Sequence, residues 1–280
     1  MEKAIKRYFP IFVLPTMIAF TLGFIIPFVE GVYLSFCKFT TVNDAKFIGF
    51  ANYAKVFADE TFVHAFWYTA AFTVVSVILI NVLAFAVALL LTKGFKGTNI
   101  FRTVFFMPNL IGGIVLGYIW QLLLNGILMK FSRTLTYSST YGFWGLIILM
   151  CWQQIGYMMI IYIAGIQNIH GELIEAAEID GATKWQILKK VTIPMVMPSI
   201  TVCTFLTLTN SFKLFDQNLA LTNGEPSKMS EMLALNIFNT FYGRTGYEGV
   251  GQAKAVIFFI LVTVIALTQN YLTRRKEVQQ

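Results

Sequence analysis

The chain has 280 residues, of which 57% are hydrophobic and 12% are charged, and its formal net charge at pH 7 is +7. Its mean hydropathy is +0.68. Because soluble domains carry about 25% charged residues, this composition excludes an ordinary soluble domain and indicates an integral membrane protein.

Six apolar segments are each long enough to cross a hydrocarbon core, which takes about 20 residues of helix. In chain order they are Ile11–Phe36, Phe66–Leu91, Thr103–Leu124, Gly142–Ile166, Pro194–Phe212 and Ala255–Leu272. Within these segments the sequence has one charged residue, Glu30, near the end of the first. No segment shows strand alternation, and backbone polar groups in lipid must be satisfied within the span. We therefore expect an all-α membrane protein with six transmembrane helices in a single domain, residues 1–280.

The distribution of charge between the segments predicts the orientation. If the N-terminus is cytoplasmic, the cytoplasmic pieces hold twelve of the 21 Lys and Arg residues and six of the 14 acids. The other side then holds nine basic residues and eight acids. Basic residues concentrate on the cytoplasmic side of membrane proteins, so we expect both termini in the cytoplasm. The positive charge then reflects topology, and we do not expect nucleic-acid binding.

The sequence has no recognisable catalytic or metal-binding constellation. Cys37, Cys151 and Cys203 are scattered, as expected of small buried hydrophobes. His64 and His170 fall on opposite sides of the membrane in the predicted topology. The phosphate-binding pattern Gly-x-x-x-x-Gly-Lys-Ser/Thr does not occur. We therefore expect no catalytic residue, no metal and no cofactor in this chain.

Residues 171–190 form a polar, helix-forming insertion between the fourth and fifth segments. Residues 171–179 contain strong helix formers, with acids in the first turns, where the helix dipole favours them. Gly181 just beyond that helix can adopt the left-handed conformation that ends it. Thr183 and Gln186 have the spacing of a capping box for a second helix that runs through Lys190. The pattern predicts a helical hairpin with a tight glycine corner.

The stretch "EAAEIDGATKWQILKKVTIP" resembles the EAA loop of ABC-importer permeases. The residues that carry the resemblance are Glu175, Ala176, Ala177, Asp180, Gly181 and Ala182. Ile193-Pro194 stands where the family has Leu-Pro. The resemblance implies the type I ABC importer permease fold and a coupling helix that docks in a groove of a cytoplasmic ATPase subunit. Trp185 in the same hairpin is either a further ATPase contact or an interfacial anchor.

An amphipathic hairpin lying on the membrane surface is the alternative interpretation of these residues. It leaves unexplained why one side of the hairpin is reduced to alanines and a glycine.

The resemblance covers nearly the whole chain and is to the carbohydrate-uptake branch of these permeases. "FIGFANYAKVF", "FRTVFFMPNLIGGIVLGYIWQLLL" and "LTNGEP" each resemble segments of maltose and oligosaccharide permeases. The resemblance implies a bacterial-type cytoplasmic membrane and a sugar substrate. The implied partners are a second, different permease, two ATPase subunits that use ATP and Mg²⁺, and an extracellular solute-binding protein.

Polar residues within two of the segments are the candidates for the substrate path. By position against the family's landmarks, the resemblance points to Gln153, Gln154 and Tyr157 of the fourth segment and to Thr207, Ser211 and Leu214 of the fifth. Amides, hydroxyls and aromatic faces suit a neutral sugar. The alternative is that these groups join helices to one another as ordinary membrane contacts.

Two charges near the outer end of the fifth segment bear on the choice of substrate. Lys213 and Asp216 are expected to share one helix face and to form an ion pair. An unpaired Lys213 would instead favour an anionic substrate such as a glycerol phosphate, and another polyol is a related alternative. A stand-alone secondary transporter would need an internal repeat and an ionisable relay in mid-membrane, and the sequence shows neither.

Overall fold

The computed structural model describes residues 2–94 and 96–275, without the side chains of residues 2–8 and 10. Lys276 and Glu277, which were included in the charge balance, lie outside the described residues. The chain divides into two compact units, Met1–Glu60 with Ile237–Ile260, and Thr61–Asn236 with Leu261–Gln280. We describe each unit by itself.

The described part of the chain is mostly helical. Its α-helices are α1 (Glu2–Phe20), α2 (Ile26–Leu34), α3 (Ala51–Phe57), α4 (Glu60–Leu91), α5 (Thr98–Phe106), α6 (Gly113–Leu128), α7 (Ser139–Gln167), α8 (Gly171–Ile179), α9 (Lys184–Ile187), α10 (Ile193–Met195), α11 (Met197–Phe212), α12 (Asp216–Leu221), α13 (Leu233–Gly243) and α14 (Glu248–Arg274). Two π-helical stretches cover Thr21–Ile25 and Leu188–Thr192, and 3₁₀ turns cover Val42–Asp44, Met107–Leu110, Met129–Phe131 and Leu135–Tyr137. Strands β1 (Cys37–Lys38) and β2 (Lys46–Phe47) pair antiparallel.

Five helices of the described chain are long and apolar enough to span a membrane: Ile11–Leu34, Glu60–Leu91, Gly113–Phe131, Ser139–Gln167 and Glu248–Arg274. A sixth span results if Lys184–Met195 and Met197–Phe212, which meet at an angle of 69°, are counted together. The prediction of an all-α membrane protein with six spans is therefore confirmed, with the fifth of the six bent.

Three spans differ in detail from their predicted form. The third is interrupted around Pro108, because proline lacks the backbone N–H that a continuous helix needs; α5 ends at Phe106 and α6 begins at Gly113. The fifth is bent at Val196, where prolines stand on both sides in the sequence. The last begins at Glu248, well before the predicted Ala255, and so contains a charged residue, Lys254.

In the first unit, the connection that follows α2 is fixed by a buried amide. The Asn52 side chain donates hydrogen bonds to the carbonyl oxygens of Ser35 (2.9 Å) and Cys37 (2.8 Å). Gly249 at the start of α14 allows the same backbone to approach, because a Cβ there would lie 2.2 Å from the Cys37 carbonyl oxygen. These contacts tie the β1–β2 hairpin and α3 to the beginning of α14.

The same unit contains a buried ion pair that the sequence analysis missed. Lys254 is fully buried, and its Nζ lies 2.7 Å from Oδ2 of Asp59 and 2.8 Å from the hydroxyl of Thr240. The pair was missed because the predicted span began one residue after Lys254. A buried charge that loses its partner is costly, so the buried Lys254 depends on the carboxylate of Asp59, whose side chain is 19% exposed.

In the second unit, α4 and α7 contribute most of the hydrophobic core, which includes Phe72, Ile80, Met150 and Met158, and α11 adds Cys203. Small residues allow helices to pack closely around this core, as in membrane bundles. A Cβ at Gly156 of α7 would lie 1.7 Å from the carbonyl oxygen of Phe105, and one at Gly117 of α6 would lie 2.5 Å from Cβ of Ala220. These crossings pack α7 against α5 and α6 against α12.

Candidate functional site

The hairpin between α7 and α11 begins with α8, which ends in a Schellman motif. Gly181 has φ = +77°, the left-handed conformation. Its N–H donates to the carbonyl of Glu178, and the N–H of Ala182 donates to the carbonyl of Ala177, both at 3.0 Å. These two bonds satisfy carbonyls that would otherwise be left open at the end of the helix. The predicted glycine corner is confirmed.

The second half of the hairpin begins with the predicted capping box. The backbone N–H of Thr183 donates to Oε1 of Gln186 (2.7 Å), and the N–H of Gln186 donates to Oγ1 of Thr183 (3.3 Å). Helix α9 then ends at Ile187, earlier than the predicted Lys190, and the chain continues as the π-helical stretch Leu188–Thr192. The buried Ile187 anchors this half.

The exposed surface of the hairpin combines charged side chains with small and apolar groups around the corner. Of the seven predicted coupling residues, Glu175, Ala176, Asp180, Gly181 and Trp185 are exposed, and Ala177 and Ala182 are half-buried. Two neighbouring hydrophobic side chains are left uncovered, since Ile179 is 86% and Trp185 69% exposed. A Cβ at Gly181 would meet nothing within 4 Å, so the corner is open. A surface of this shape can dock closely against a second protein.

A cavity of about 380 Å³ lies between α7, the end of α11 and the start of α12. Its lining residues are Met150, Gln154, Asn210, Lys213, Leu214, Phe215, Asp216 and Gln217. The amides on and beside this lining are linked. Asn210 Nδ2 donates to Gln154 Oε1 at 3.5 Å, and Gln217 Nε2 donates to Gln153 Oε1 at 2.8 Å. The bond between Asn210 and Gln154 is long, and these two amides line the cavity, so they can exchange this bond for bonds to hydroxyl groups.

The structure distributes the predicted substrate-path residues unevenly around this cavity. Gln154 and Leu214 line it. Gln153 lies behind it, held by Gln217 and by a bond from its own amide to the carbonyl of Ile111 (3.4 Å). Tyr157 is half-buried against the ring of Phe106, with centroids 6.4 Å apart.

The other two predicted residues, Thr207 and Ser211, are fully buried within the bundle. The Thr207 hydroxyl donates to the carbonyl of Cys203 (2.8 Å) and accepts from Asn81 Nδ2 (3.3 Å). Tyr162 donates its hydroxyl to Asn81 Oδ1 at 2.7 Å. Thr207 thus takes part in a polar contact between helices, which is the alternative stated above for these residues.

The predicted ion pair between Lys213 and Asp216 is wrong. Helix α11 ends at Phe212 and α12 begins at Asp216, so the two residues do not share a helix face. No salt bridge joins their described side chains. Both line the cavity, together with Asn210 and Gln217, which were not predicted as site residues. Gln217 could be placed there only once the break after Phe212 was known.

Comparison with known proteins identifies the family and the relatives of this chain. The profile of the family described as "Binding-protein-dependent transport system inner membrane component" matches residues 80–278. The "Probable starch degradation products transport system permease protein AmyD" of Thermoanaerobacterium thermosulfurigenes is 42% identical, over 96% of this chain and 94% of that one. The "Trehalose/maltose transport system permease protein MalF" of Thermococcus litoralis is 27% identical, over 89% and 88%.

Among solved structures, a chain of a bacterial ABC transporter involved in the import of the acidic polysaccharide alginate superposes with a TM-score of 0.82. It is 23% identical, and 98% of each chain is covered. A chain of the MetNI methionine ABC transporter, also 23% identical, gives a TM-score of 0.58 over 77% of this chain and 96% of that one. At these identities the likeness shows a common fold.

Proposed function

The chain belongs to the family of binding-protein-dependent transport system inner membrane components, and from this premise we propose that it conducts a neutral oligosaccharide through an ATP-driven importer. It is a multi-pass membrane permease subunit and not an enzyme. The observation that supports the sugar is the cavity, whose amides from Gln154, Asn210 and Gln217 suit hydroxyl groups. The names of the relatives, which mention starch degradation products, trehalose and maltose, point to the same substrate class.

The charges on the cavity lining support a neutral substrate over an anionic one. Lys213 lines the cavity and has no ion-pair partner among the described side chains, which by itself would favour a glycerol phosphate. Asp216 lines the same cavity and would repel a phosphate group. Because one cation and one anion stand on the lining, a neutral sugar fits its charge better than a phosphate ester does.

The partners are proposed from the hairpin 171–190. Its open corner at Gly181 and its exposed Ile179 and Trp185 suit docking in a groove of a cytoplasmic ATPase subunit, which would use ATP and Mg²⁺. In this arrangement both termini are cytoplasmic. A second permease, two ATPase subunits and an extracellular solute-binding protein complete the importer. Closure of the ATPases would move the hairpin, and α11, which follows it through the 69° bend, would change the access of the cavity.

The proposal is tested by purifying the chain from its native membrane in mild detergent and identifying what accompanies it. We expect an ATPase, a second permease and a binding protein, and we expect the ATPase activity of the complex to rise with liganded binding protein and a neutral oligosaccharide. A chain that purifies alone would contradict the importer. Stimulation by a glycerol phosphate and not by neutral sugars would contradict the substrate.

A further inference from the structure

A second cavity, of about 420 Å³, lies at the end of α7 that leads to the hairpin, remote in sequence from the sugar-site residues. It is formed by the end of α4, the turn that follows, the start of α5 and the end of α7. Its lining residues are Leu91, Thr92, Gly94, Gly97, Thr98, Asn99, Ile100, Arg102 and Gln167. Small-molecule sites commonly occupy about 300–1,000 Å³, so this cavity has room for a phosphate and the small group that carries it.

The one charged residue on this lining is Arg102. Its Nε is buried and has no hydrogen-bond partner among the described residues, and no ion pair to the guanidinium is formed in the described chain. A buried, charged donor without a partner is costly, and a bound anion would remove that cost. Polar groups of Thr98, Asn99 and Gln167 complete a lining that can donate further hydrogen bonds.

Among the described residues no carboxylate lines the cavity or pairs with Arg102, and the nearest acids that follow the lining in the chain, Glu172 and Glu175, are exposed on α8. From Thr61 to Gly171 the chain contains no Asp or Glu, whereas Lys93 and Lys96 stand in the turn beside the cavity. Lys93 and Lys96 are exposed and fit the ordinary excess of basic residues on one side of a membrane. Arg102 differs from them because its donor is enclosed and unsatisfied. Basic pockets between the ends of transmembrane helices are suited to anionic headgroups.

We propose that this cavity binds a phosphate-bearing anion through the guanidinium of Arg102. The shared chemistry is a phosphate oxygen that accepts charge-assisted hydrogen bonds. Its source is either the headgroup of an anionic phospholipid in the adjoining leaflet or a soluble phosphate. The site is separate from the cavity beside Gln154. That the adjoining leaflet is the cytoplasmic one follows from the proposed orientation of the chain, and the rest of this proposal does not depend on that orientation.

The test measures binding to the full chain, purified with the subunits that accompany it, and does not use uptake as its readout. One arm counts the phosphatidylglycerol retained after reconstitution into phosphatidylcholine vesicles that contain it and subsequent purification. The other arm titrates inorganic phosphate onto delipidated protein and follows its thermal unfolding. Arg102→Gln removes the proposed ligand. Lys93→Gln removes the same charge from an exposed position in the neighbouring turn and is the matched control.

A second variant, Asn99→Asp, keeps the test valid if Arg102→Gln does not fold. It places a carboxylate on the cavity lining, and an acid in the first turn of α5 is favourable to the helix. We expect both variants to weaken binding of the anion by about tenfold or more, the effect of losing one hydrogen bond to a charged group. Lys93→Gln should leave binding nearly unchanged.

The two arms distinguish the sources of the phosphate. Retention of phosphatidylglycerol that depends on Arg102 supports the lipid headgroup, and protection by inorganic phosphate that depends on Arg102 supports a soluble anion. If neither depends on Arg102 or Asn99, or if Lys93→Gln lowers both as much as Arg102→Gln does, the proposal is overturned.

Discussion

The hairpin 171–190 and the cavity beside Gln154 belong to the same unit, yet their geometry has different origins. The corner of the hairpin is held by bonds between residues at most five apart, the Schellman bonds at Gly181 and the capping box at Thr183. The cavity is held by bonds between residues 56 and 64 apart, Gln154 with Asn210 and Gln153 with Gln217. An element built from local bonds can move as a rigid body, whereas a cavity built from contacts between helices changes when those helices move. This difference suits the proposed roles of the two regions, in which the hairpin moves as a lever and the cavity opens or closes in response.

The largest effect is expected at the corner of the hairpin. Gly181→Trp should leave the protein inserted in the membrane but abolish uptake, because the side chain fills the open corner for which we propose docking on the ATPase. It should also reduce the amount of ATPase that purifies with the chain. Uptake by vesicles and the composition of the purified complex measure this result.

Backbone strain must be separated from loss of docking at this position. A residue other than glycine in the left-handed conformation costs roughly 1–2 kcal/mol, and asparagine tolerates it best. Gly181→Asn is therefore the control, since it adds little bulk and little strain, and it should retain most of the uptake. Wild-type uptake by Gly181→Trp would refute the coupling role of the hairpin.

The buried ion pair in the first unit extends the comparison to contacts between distant residues that involve charge. Asp59→Leu leaves the fully buried ammonium of Lys254 without its carboxylate partner and should lower the free energy of unfolding by about 3–5 kcal/mol. The double variant Asp59→Leu with Lys254→Met should recover much of that loss, because no unpaired buried charge then remains. Unfolding of the purified protein in denaturant provides the measurement, and a double variant no more stable than Asp59→Leu would contradict the pairing.

Two substitutions distinguish a residue that lines the cavity from a residue that only packs between helices beside it. Gln154→Leu removes an amide that lines the cavity, and we expect about a tenfold rise in the sugar concentration that half-stimulates the ATPase, the effect of one lost hydrogen bond in a buried site. Basal ATPase activity should persist. Tyr157→Ala should lower the stability of the protein but leave the half-stimulating sugar concentration nearly unchanged, because Tyr157 packs against Phe106 outside the lining.

Thr207→Val is the matched control for Gln154→Leu, because both variants replace a polar side chain by an apolar one. Thr207→Val preserves the shape of a buried residue that does not line the cavity, so it should leave the half-stimulating concentration unchanged. If Thr207→Val raises that concentration as much as Gln154→Leu does, the path follows the buried residues and the cavity assignment is wrong.

The same division explains what could be predicted from the sequence. The spans follow from apolar length alone, and the hairpin follows from Gly181, Thr183 and Gln186, whose roles depend on neighbours in the chain. The end of α11 at Phe212 is not marked by a glycine or proline in the sequence. The sequence therefore predicted a continuous helix there, and the predicted pairing of Lys213 with Asp216 was wrong. Lys254 fell one residue before the predicted last span, and its pairing could not be predicted because its partner lies 195 residues away and a contact of that kind has no sequence pattern.

A smaller effect is expected from the capping box of the hairpin. Thr183→Ala removes the oxygen that accepts from the N–H of Gln186 and should lower the stability of α9 by about 1 kcal/mol. Thr183→Ser keeps that oxygen and should be nearly neutral. Hydrogen exchange of residues 184–187 would detect the difference. If alanine protects those amides as well as serine does, the helix is held by its contacts elsewhere and not by its cap.

The smallest effect concerns a capping box in the first unit, at the 3₁₀ turn Val42–Asp44. The backbone amides of Thr40 and Thr41 donate to the Asp44 carboxylate at 3.0 Å, and these bonds lower the pKa of Asp44 below its ordinary value. Because the folded-state pKa is lowered, the ionised group stabilises the turn above the unfolded-state pKa, about 3.9. That stabilisation is lost as the pH falls through the folded-state pKa. Amide exchange at Thr40 and Thr41 should therefore be slower in the wild type than in Asp44→Asn near neutral pH, and the two should converge below the folded-state pKa. Equal exchange in the two proteins near neutral pH would mean that the turn is held by its backbone and not by the charge, and a difference that persists in strong acid would mean that it does not arise from ionisation of Asp44.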